Sequence, residues 1–312
     1  MTRRPGSVLA VTASGIEFQN PVVLAAGTAA YGRELAGVIR LDQLGGLVTK
    51  AVSAEPRAGA PAPRVADFGA GMINAVGLAN PGAAAVRRDE LPWLARELGA
   101  ARAIVNVVGR VVEDFAEVVK MLDGAEGFHA YELNVSCPNT RQGGIEFGAD
   151  PQALTALISG ARAATRRPLF VKLSPTLPDI GNVARRAADA GADGITVINT
   201  IPGLLIDTAT RRPALGFGSG GVSGPGLRPV GVLATWRVRS AVSLPILGIG
   251  GVTTADDALQ YLMAGASLVG VGTAALADPR LPGRIVTGLE RWCAEHGVGA
   301  IGDVIGTLEW PA

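Results

Sequence analysis

The segment YELNVSCPN, running from Tyr131 to Asn139, shows how this chain is built. Tyr131, Leu133 and Val135 alternate with Glu132, Asn134 and Ser136, which is the period of a β-strand. Pro138 cannot continue a ladder, because it has no N–H to donate. The strand therefore ends by delivering a carboxamide, a thiol and a second carboxamide, those of Asn134, Cys137 and Asn139. Taken alone, Cys137 reads as a small apolar residue in a loop, as free cysteines usually do. Its neighbours along the chain change that reading.

Working outward, seven further apolar, β-rich runs share this character: Val22 to Ala26, Gly46 to Val52, Ala103 to Val108, Leu169 to Leu173, Gly194 to Ile198, Pro245 to Ile249 and Leu268 to Val271. With Ala130 to Val135 as the fourth, they make eight strands. Helical patterns lie between them, at Arg33 to Leu41, Ala83 to Leu98, Val112 to Leu122, Pro151 to Thr165, Pro178 to Ala190, Leu227 to Ala241, Thr254 to Ala264 and Leu281 to His296. Near-continuous apolar strands separated by helices predict a parallel sheet covered on both faces, and eight such units predict an α/β fold of the (β/α)8 TIM barrel type. No linker divides residues 1 to 312, so one barrel domain is expected, with a hairpin from the N-terminal segment across its bottom. Two connections are long, Ser53 to Gly82 after strand two and Ile201 to Gly226 after strand six. Both follow strand C-termini, where long loops usually form lids or substrate walls.

Composition narrows the partners. Hydrophobic residues are 48% of the 312 and charged residues 18%, and the formal charge of +1 comes with no Lys/Arg block. That balance argues against nucleic acid or an anionic membrane surface and for a small-molecule ligand. Cys137 and Cys293 form no CxxC pair, so no metal site or cluster is expected from within the chain. No stretch approaches the roughly 18 apolar residues of a membrane span, and a cytoplasmic protein is expected.

The strand exits carry the chemistry. Only three lysines occur, Lys50, Lys120 and Lys172, and two of them, Lys50 and Lys172, fall at strand exits. A lysine in an apolar strand is costly unless it meets an anion or serves chemistry. Asn106, Asn134, Asn139 and Asn199 with Thr200 add amide and hydroxyl edges suited to a ligand rich in the same groups. Strand one ends in the small residues Ala25, Ala26 and Gly27, which let a flat ligand approach the backbone. Strands seven and eight end in Gly250-Gly251 and Gly272-Thr273, and with Gly224 these turns offer backbone N–H groups where a barrel usually holds phosphate. No GxGxxG opens a helix after the first strand, so a dinucleotide-binding sheet is the weaker reading.

With these residues assembled, the chain resembles the class 1 dihydroorotate dehydrogenases. The matching motifs are TK at Thr49-Lys50, NAVGLAN at Asn74 to Asn80, ELNVSCPN at Glu132 to Asn139, VKLSP at Val171 to Pro175, INT at Ile198 to Thr200, GGVSGP at Gly220 to Pro225, and the GIGGV and GVGTA turns. They occur in family order over nearly the whole chain. The resemblance implies FMN-dependent oxidation of dihydroorotate to orotate in pyrimidine synthesis, with Cys137 as the base that takes the C5 proton. It places the substrate against Lys50, Asn74, Ala75, Val76, Gly77, Leu78, Asn134, Asn139, Asn199 and Thr200. It places FMN against Ala26, Thr49, Lys50, Asn106, Asn134, Lys172, Ile198 and Gly224, with its phosphate at Gly250, Gly251, Gly272 and Thr273.

Cys rather than Ser at the base position points to the soluble class, and NAVGLAN is most similar to the NAD-linked class 1B catalytic subunit. That implies a separate FAD and iron-sulfur electron-transfer subunit and a homodimer or heterotetramer. The chain departs from the class at Ala26, where Ser is usual, at Gly59-Ala60 and Asp67-Phe68 in the loop after strand two, and at Gly226. Two alternatives are a flavin enzyme acting on another dihydropyrimidine such as dihydrouracil, and a Schiff-base aldolase using Lys172 or Lys50. The carboxylate of orotate gives Lys50 a partner that a neutral dihydrouracil ring lacks.

Overall fold

The computed structural model describes residues 7–136 and 147–311. Eight parallel strands close into a barrel: β1 (Val22–Leu24), β2 (Gly46–Val48), β3 (Arg102–Val107), β4 (Ala130–Asn134), β5 (Leu169–Leu173), β6 (Gly194–Val197), β7 (Ile246–Ile249) and β8 (Leu268–Val271). Each pairs with the next and β8 closes on β1, as the sequence predicts. Helices follow the strands: α1 (Arg33–Ala36), α2 (Leu91–Glu97), α3 (Val112–Leu122), α4 (Pro151–Ala164), α5 (Ile180–Asp189), α6 (Arg228–Ala241), α7 (Ala255–Met263) and α8 (Leu281–His296).

Local chemistry accounts for these elements. Strands such as LFVKL and ILGI are buried throughout because one face meets the barrel interior and the other meets helices. α3 buries Phe115, Val118, Val119 and Leu122, the i, i+3, i+4, i+7 stripe of a helix with one apolar face. α4 starts where the Asp150 carboxylate accepts the N–H groups of Gln152 and Ala153, with Pro151 at the first helical position.

Residues in register share a face, so pairing shows what fills the barrel. Asn106 lies opposite Glu132, Glu132 opposite Phe170, and Phe170 opposite Gly194. One layer nearer the strand C-termini, Asn134 lies opposite Lys172 and Lys172 opposite Thr196. The lower layer thus sets an amide and a carboxyl beside an aromatic ring and a glycine, and the layer at the mouth is polar. Gly194 makes room for the Phe170 ring, since a Cβ there would lie 2.5 Å from it. Gly194→Ala should cost about 1–3 kcal/mol of stability through overpacking. Urea denaturation checks this, and an unchanged midpoint would mean that the ring is free to move aside.

The N-terminal hairpin, Val11–Ala13 with Ile16–Phe18, closes the bottom. Ser14 Oγ donates to the Asp193 carbonyl (2.7 Å) just ahead of β6, and Arg102 Nε to the Glu17 carbonyl (2.9 Å) at the start of β3. At the opposite end the two long connections build one antiparallel sheet, in the order Ile201–Gly203, Gly220–Ser223, Met72–Asn74, Val65–Asp67. Ile73, Ala75 and Leu215 form its own small core. No strand was expected there, because segments of three or four residues carry too few side chains to show a period.

Other boundaries also differ from expectation. The helix expected over Arg33 to Leu41 stops at Ala36, and Leu41–Gln43 form a separate 3-10 turn. The helix expected over Ala83 to Leu98 contains a π segment, Val86–Glu90, ahead of Pro92, which has no N–H for the carbonyl four residues back. β2 pairs only to Val48, with a lone bridge from Val52 to Val107.

Candidate active site

A cavity of about 810 Å³ opens at the C-terminal mouth of the barrel, beneath the four-stranded sheet. It brings together most of the residues singled out in the sequence. Lys50, Asn106, Asn134, Lys172, Ile198, Asn199 and Thr200 reach it from strand exits, Asn74, Val76, Gly77 and Leu78 from the loop after β2, and Ala26 from the loop after β1. Gly224, Gly250, Gly251, Gly272 and Thr273 close one end. Thr49 and Ala75 do not line it. Thr49 is wholly buried, with its hydroxyl donating to the Lys50 carbonyl and accepting the Asn106 N–H, and Ala75 packs into the small core of the sheet. Cys137 and Asn139 lie outside the described residues.

The amides at the mouth are turned by their neighbours. Asn106 Nδ2 donates to Glu132 Oε1 at 2.6 Å, which leaves the Asn106 Oδ1 buried and without a partner among the described residues. Asn134 is held the opposite way, with its Oδ1 accepting from Ser136 Oγ (3.1 Å) and the Ser136 N–H (3.4 Å). Asn134 thus offers the cavity a donor edge, while the Asn106 oxygen is sealed from it. Asn199, expected to read a ligand, spends its donors inside the protein. Its Nδ2 reaches Ser136 Oγ (2.9 Å) and the Ser136 carbonyl (3.3 Å), while its Oδ1 accepts the Thr200 N–H. It steadies the last described residue before Cys137.

Two ammonium groups face this space. Lys172 is 7% exposed and Lys50 half-buried, and neither ammonium group makes a hydrogen bond or ion pair among the described residues. Burying a cation without a partner is unfavourable, so the cavity suits anionic or electron-rich ligand atoms at two places. Lys50 is held by its main chain, whose N–H donates to the Ala30 carbonyl at 2.7 Å. Leu78 adopts φ 57°, a left-handed conformation that costs a non-glycine residue about 1–2 kcal/mol. The strain sits in the wall of the cavity, where such conformations gather.

The glycine end is a cup tied together from behind. Thr273 Oγ1 donates to Ser223 Oγ at 2.7 Å, and Ser223 Oγ donates to the Met72 carbonyl, linking the turn after β8 to the upper sheet. A Cβ on Gly251 would lie 2.6 Å from the Arg228 nitrogen and 2.8 Å from the Pro225 carbonyl, so only glycine lets these two turns touch. The Asp257 carboxyl is pushed up by burial, but hydrogen bonds from Thr253 and the Arg228 guanidinium outweigh this and hold it below the usual carboxylate range. Ser223, Glu132, Arg228 and Asp257 were not singled out in the sequence. A Ser in a turn, a Glu inside a strand and an Arg–Asp pair 29 residues apart give no local signal.

The donor set fits an FMN-sized ligand: a flat, electron-rich ring beside Lys172 and the Asn134 amide, and a phosphate at the glycine cup. No helix among the described residues is long and apolar enough to cross a membrane. A family model described as dihydroorotate dehydrogenase matches residues 8–292. The chain is 44% identical over 301 residues, 96% of its own length and 98% of the relative's, to a protein of Pelobacter propionicus described as the catalytic subunit of dihydroorotate dehydrogenase B (NAD(+)). A Solibacter usitatus relative, 45% identical over 303 residues with 97% and 99% coverage, carries the provisional description dihydroorotate dehydrogenase A (fumarate). In three dimensions the crystal structure of an Eimeria tenella DHODH in complex with ferulenol superposes with a TM-score of 0.83, covering 98% of this chain and 90% of that one at 23% identity, which establishes the shared fold. The dihydrouracil and aldolase readings find no support among these relatives. On its sequence and on its barrel, this chain belongs to the dihydroorotate dehydrogenase family.

Proposed function

We propose that this protein oxidises dihydroorotate to orotate with FMN as its cofactor, as a step of pyrimidine synthesis in the cytoplasm. The observation that carries the reading is the pair of ammonium groups, Lys50 and Lys172, without partners among the described residues, in one cavity with a glycine cup at its end. FMN, when bound, supplies the acceptor for the hydride that leaves C6 of the substrate. The remaining work falls to the chain. Lys172 balances negative charge on an electron-rich ring, and the Asn134 donor orients a ring that carries amide edges. Lys50 is the partner for the substrate carboxylate. Cys137 takes the C5 proton, a role that suits a thiol because its ordinary pKa of about 8.5 is within reach of neutrality. Asn199, through Ser136, fixes the main chain that leads into Cys137.

The similarity to relatives described as B-type catalytic subunits favours electrons leaving through a separate FAD and iron-sulfur subunit, in a homodimer or heterotetramer. The protein should purify yellow, and dihydroorotate added without oxygen should bleach the flavin within the mixing time of a manual experiment, while dihydrouracil should leave it unchanged. A spectrum that dihydroorotate does not alter sinks the substrate assignment. Reoxidation of the bleached protein by NAD only when a partner subunit is added would support the B-type assignment, and direct reoxidation by fumarate would replace it.

A further inference from the structure

We infer that Tyr261 orients the phosphate-binding peptide of the glycine cup, and that it thereby sets the preference for a phosphorylated ligand over its unphosphorylated counterpart. The inference rests on the FMN reading and concerns a residue that touches no ligand. Tyr261 sits on α7, wholly buried, on the outer side of the barrel wall. Its ring lies against Gly248 and its hydroxyl against Gly231, where a Cβ would come within 2.4 Å of the ring and 1.9 Å of the hydroxyl oxygen. From there its Oη donates to the Gly250 carbonyl at 2.7 Å. Burial and the nearby Asp257 carboxylate push the phenol well above its ordinary range, so it stays a donor at every pH the protein meets.

In a trans peptide the carbonyl and the following N–H point in opposite directions. The Gly250 carbonyl is drawn outward onto Tyr261, so the N–H of Gly251 is turned the other way, toward the cavity that both glycines line. That N–H has no backbone acceptor among the described residues. The peptide would otherwise be free to turn over, because it lies between two glycines, at φ 132° and φ 69°. Tyr261 selects one of its two orientations.

Asp257, one helical turn earlier on the same face of α7, holds the rest of the turn. Its carboxylate accepts from Thr253 Oγ1 (2.6 Å), the Thr253 N–H (2.8 Å) and the Thr254 N–H (3.0 Å), and also from the Arg228 guanidinium at the start of α6. The C-terminal end of the turn is thereby fixed, and the Gly250–Gly251 plane is left for Tyr261 to hold.

The test is the affinity of the full chain, freed of flavin, for FMN and for riboflavin, read by quenching of flavin fluorescence. Wild-type protein should prefer FMN. Tyr261→Phe, which keeps the ring and removes only the hydroxyl, should weaken FMN binding by about five- to tenfold, the worth of one hydrogen bond, and leave riboflavin unchanged. Equal losses for both ligands would mark the hydroxyl as a general support of the fold, and no loss for either would show that the peptide holds its orientation unaided. Either result overturns the inference. A measurement on wild-type protein stands apart from the variant's folding: the Gly251 amide resonance should move when FMN is added and stay when riboflavin is added, and an amide indifferent to FMN overturns the inference too. Wild-type protein with no preference for FMN would instead sink the FMN reading, and this inference with it.

Discussion

Cys137→Ala should slow the reduction of bound flavin by dihydroorotate by about 10²- to 10⁴-fold at neutral pH, the usual worth of a positioned general base. Orotate affinity should change little, because a thiol contributes little to holding a planar anion whose carboxylate and amide edges are met elsewhere. The proton to be removed is on carbon and leaves slowly to water, so the base is needed in the transition state and hardly at all in the ground state. Anaerobic stopped-flow, following the flavin band in one turnover, separates the two effects. In the wild type the rate should rise with pH as the thiol ionises, from an ordinary value near 8.5 lowered by any neighbouring positive charge. In the alanine variant that step in the profile should disappear. Near-normal single-turnover reduction would remove Cys137 from the role and direct the search to the groups that line the cavity.

Lys50→Met should weaken orotate by roughly 30-fold or more, the lower part of the about 2–5 kcal/mol range for truncating one side of a hydrogen-bonded charge pair. The lower part applies because Lys50 is only half-buried and solvent screens part of its charge. Methionine keeps the apolar stem, and the Lys50 main chain stays tied to Ala30, so the barrel should fold as before, and flavin content is measured beside orotate affinity. Orotate titration of the flavin spectrum measures the loss. A neutral pyrimidine lacking the carboxylate should bind wild type and variant alike. If the variant loses affinity for both ligands equally, Lys50 shapes the pocket rather than pairing with the carboxylate.

The barrel was legible because its strands are buried on both faces and its helices on one, and that contrast is written in the order of apolar residues. Ile246–Ile249 and Leu268–Val271 show it without interruption, and Leu169–Leu173 with Lys172 alone breaking the apolar run. The ends of elements were less legible. α1 stops at Ala36, and the π segment before Pro92 depends on backbone accommodation. The sheet over the mouth was invisible, since its strands come from loops more than 120 residues apart and become strands only by pairing with one another. The site followed the same division. Lysines and asparagines at strand exits were visible because a polar side chain is unexpected there. Thr49 and Ala75 stood in the same motifs, yet they turn into the protein.

The sequence by itself determined the barrel, through local periodicity, the family, through its motifs, and most of the described side chains at the mouth, through polar residues at strand exits. Only the tertiary structure decided how those side chains are used. Glu132 turns the Asn106 amide one way and Ser136 turns Asn134 the other, Asn199 is taken up in holding Ser136, and Tyr261 reaches from behind the wall to the Gly250 carbonyl. The physical reason is that a hydrogen bond depends on the separation and direction of two groups in space. That geometry is set only when the eight strands close and bring distant positions into register.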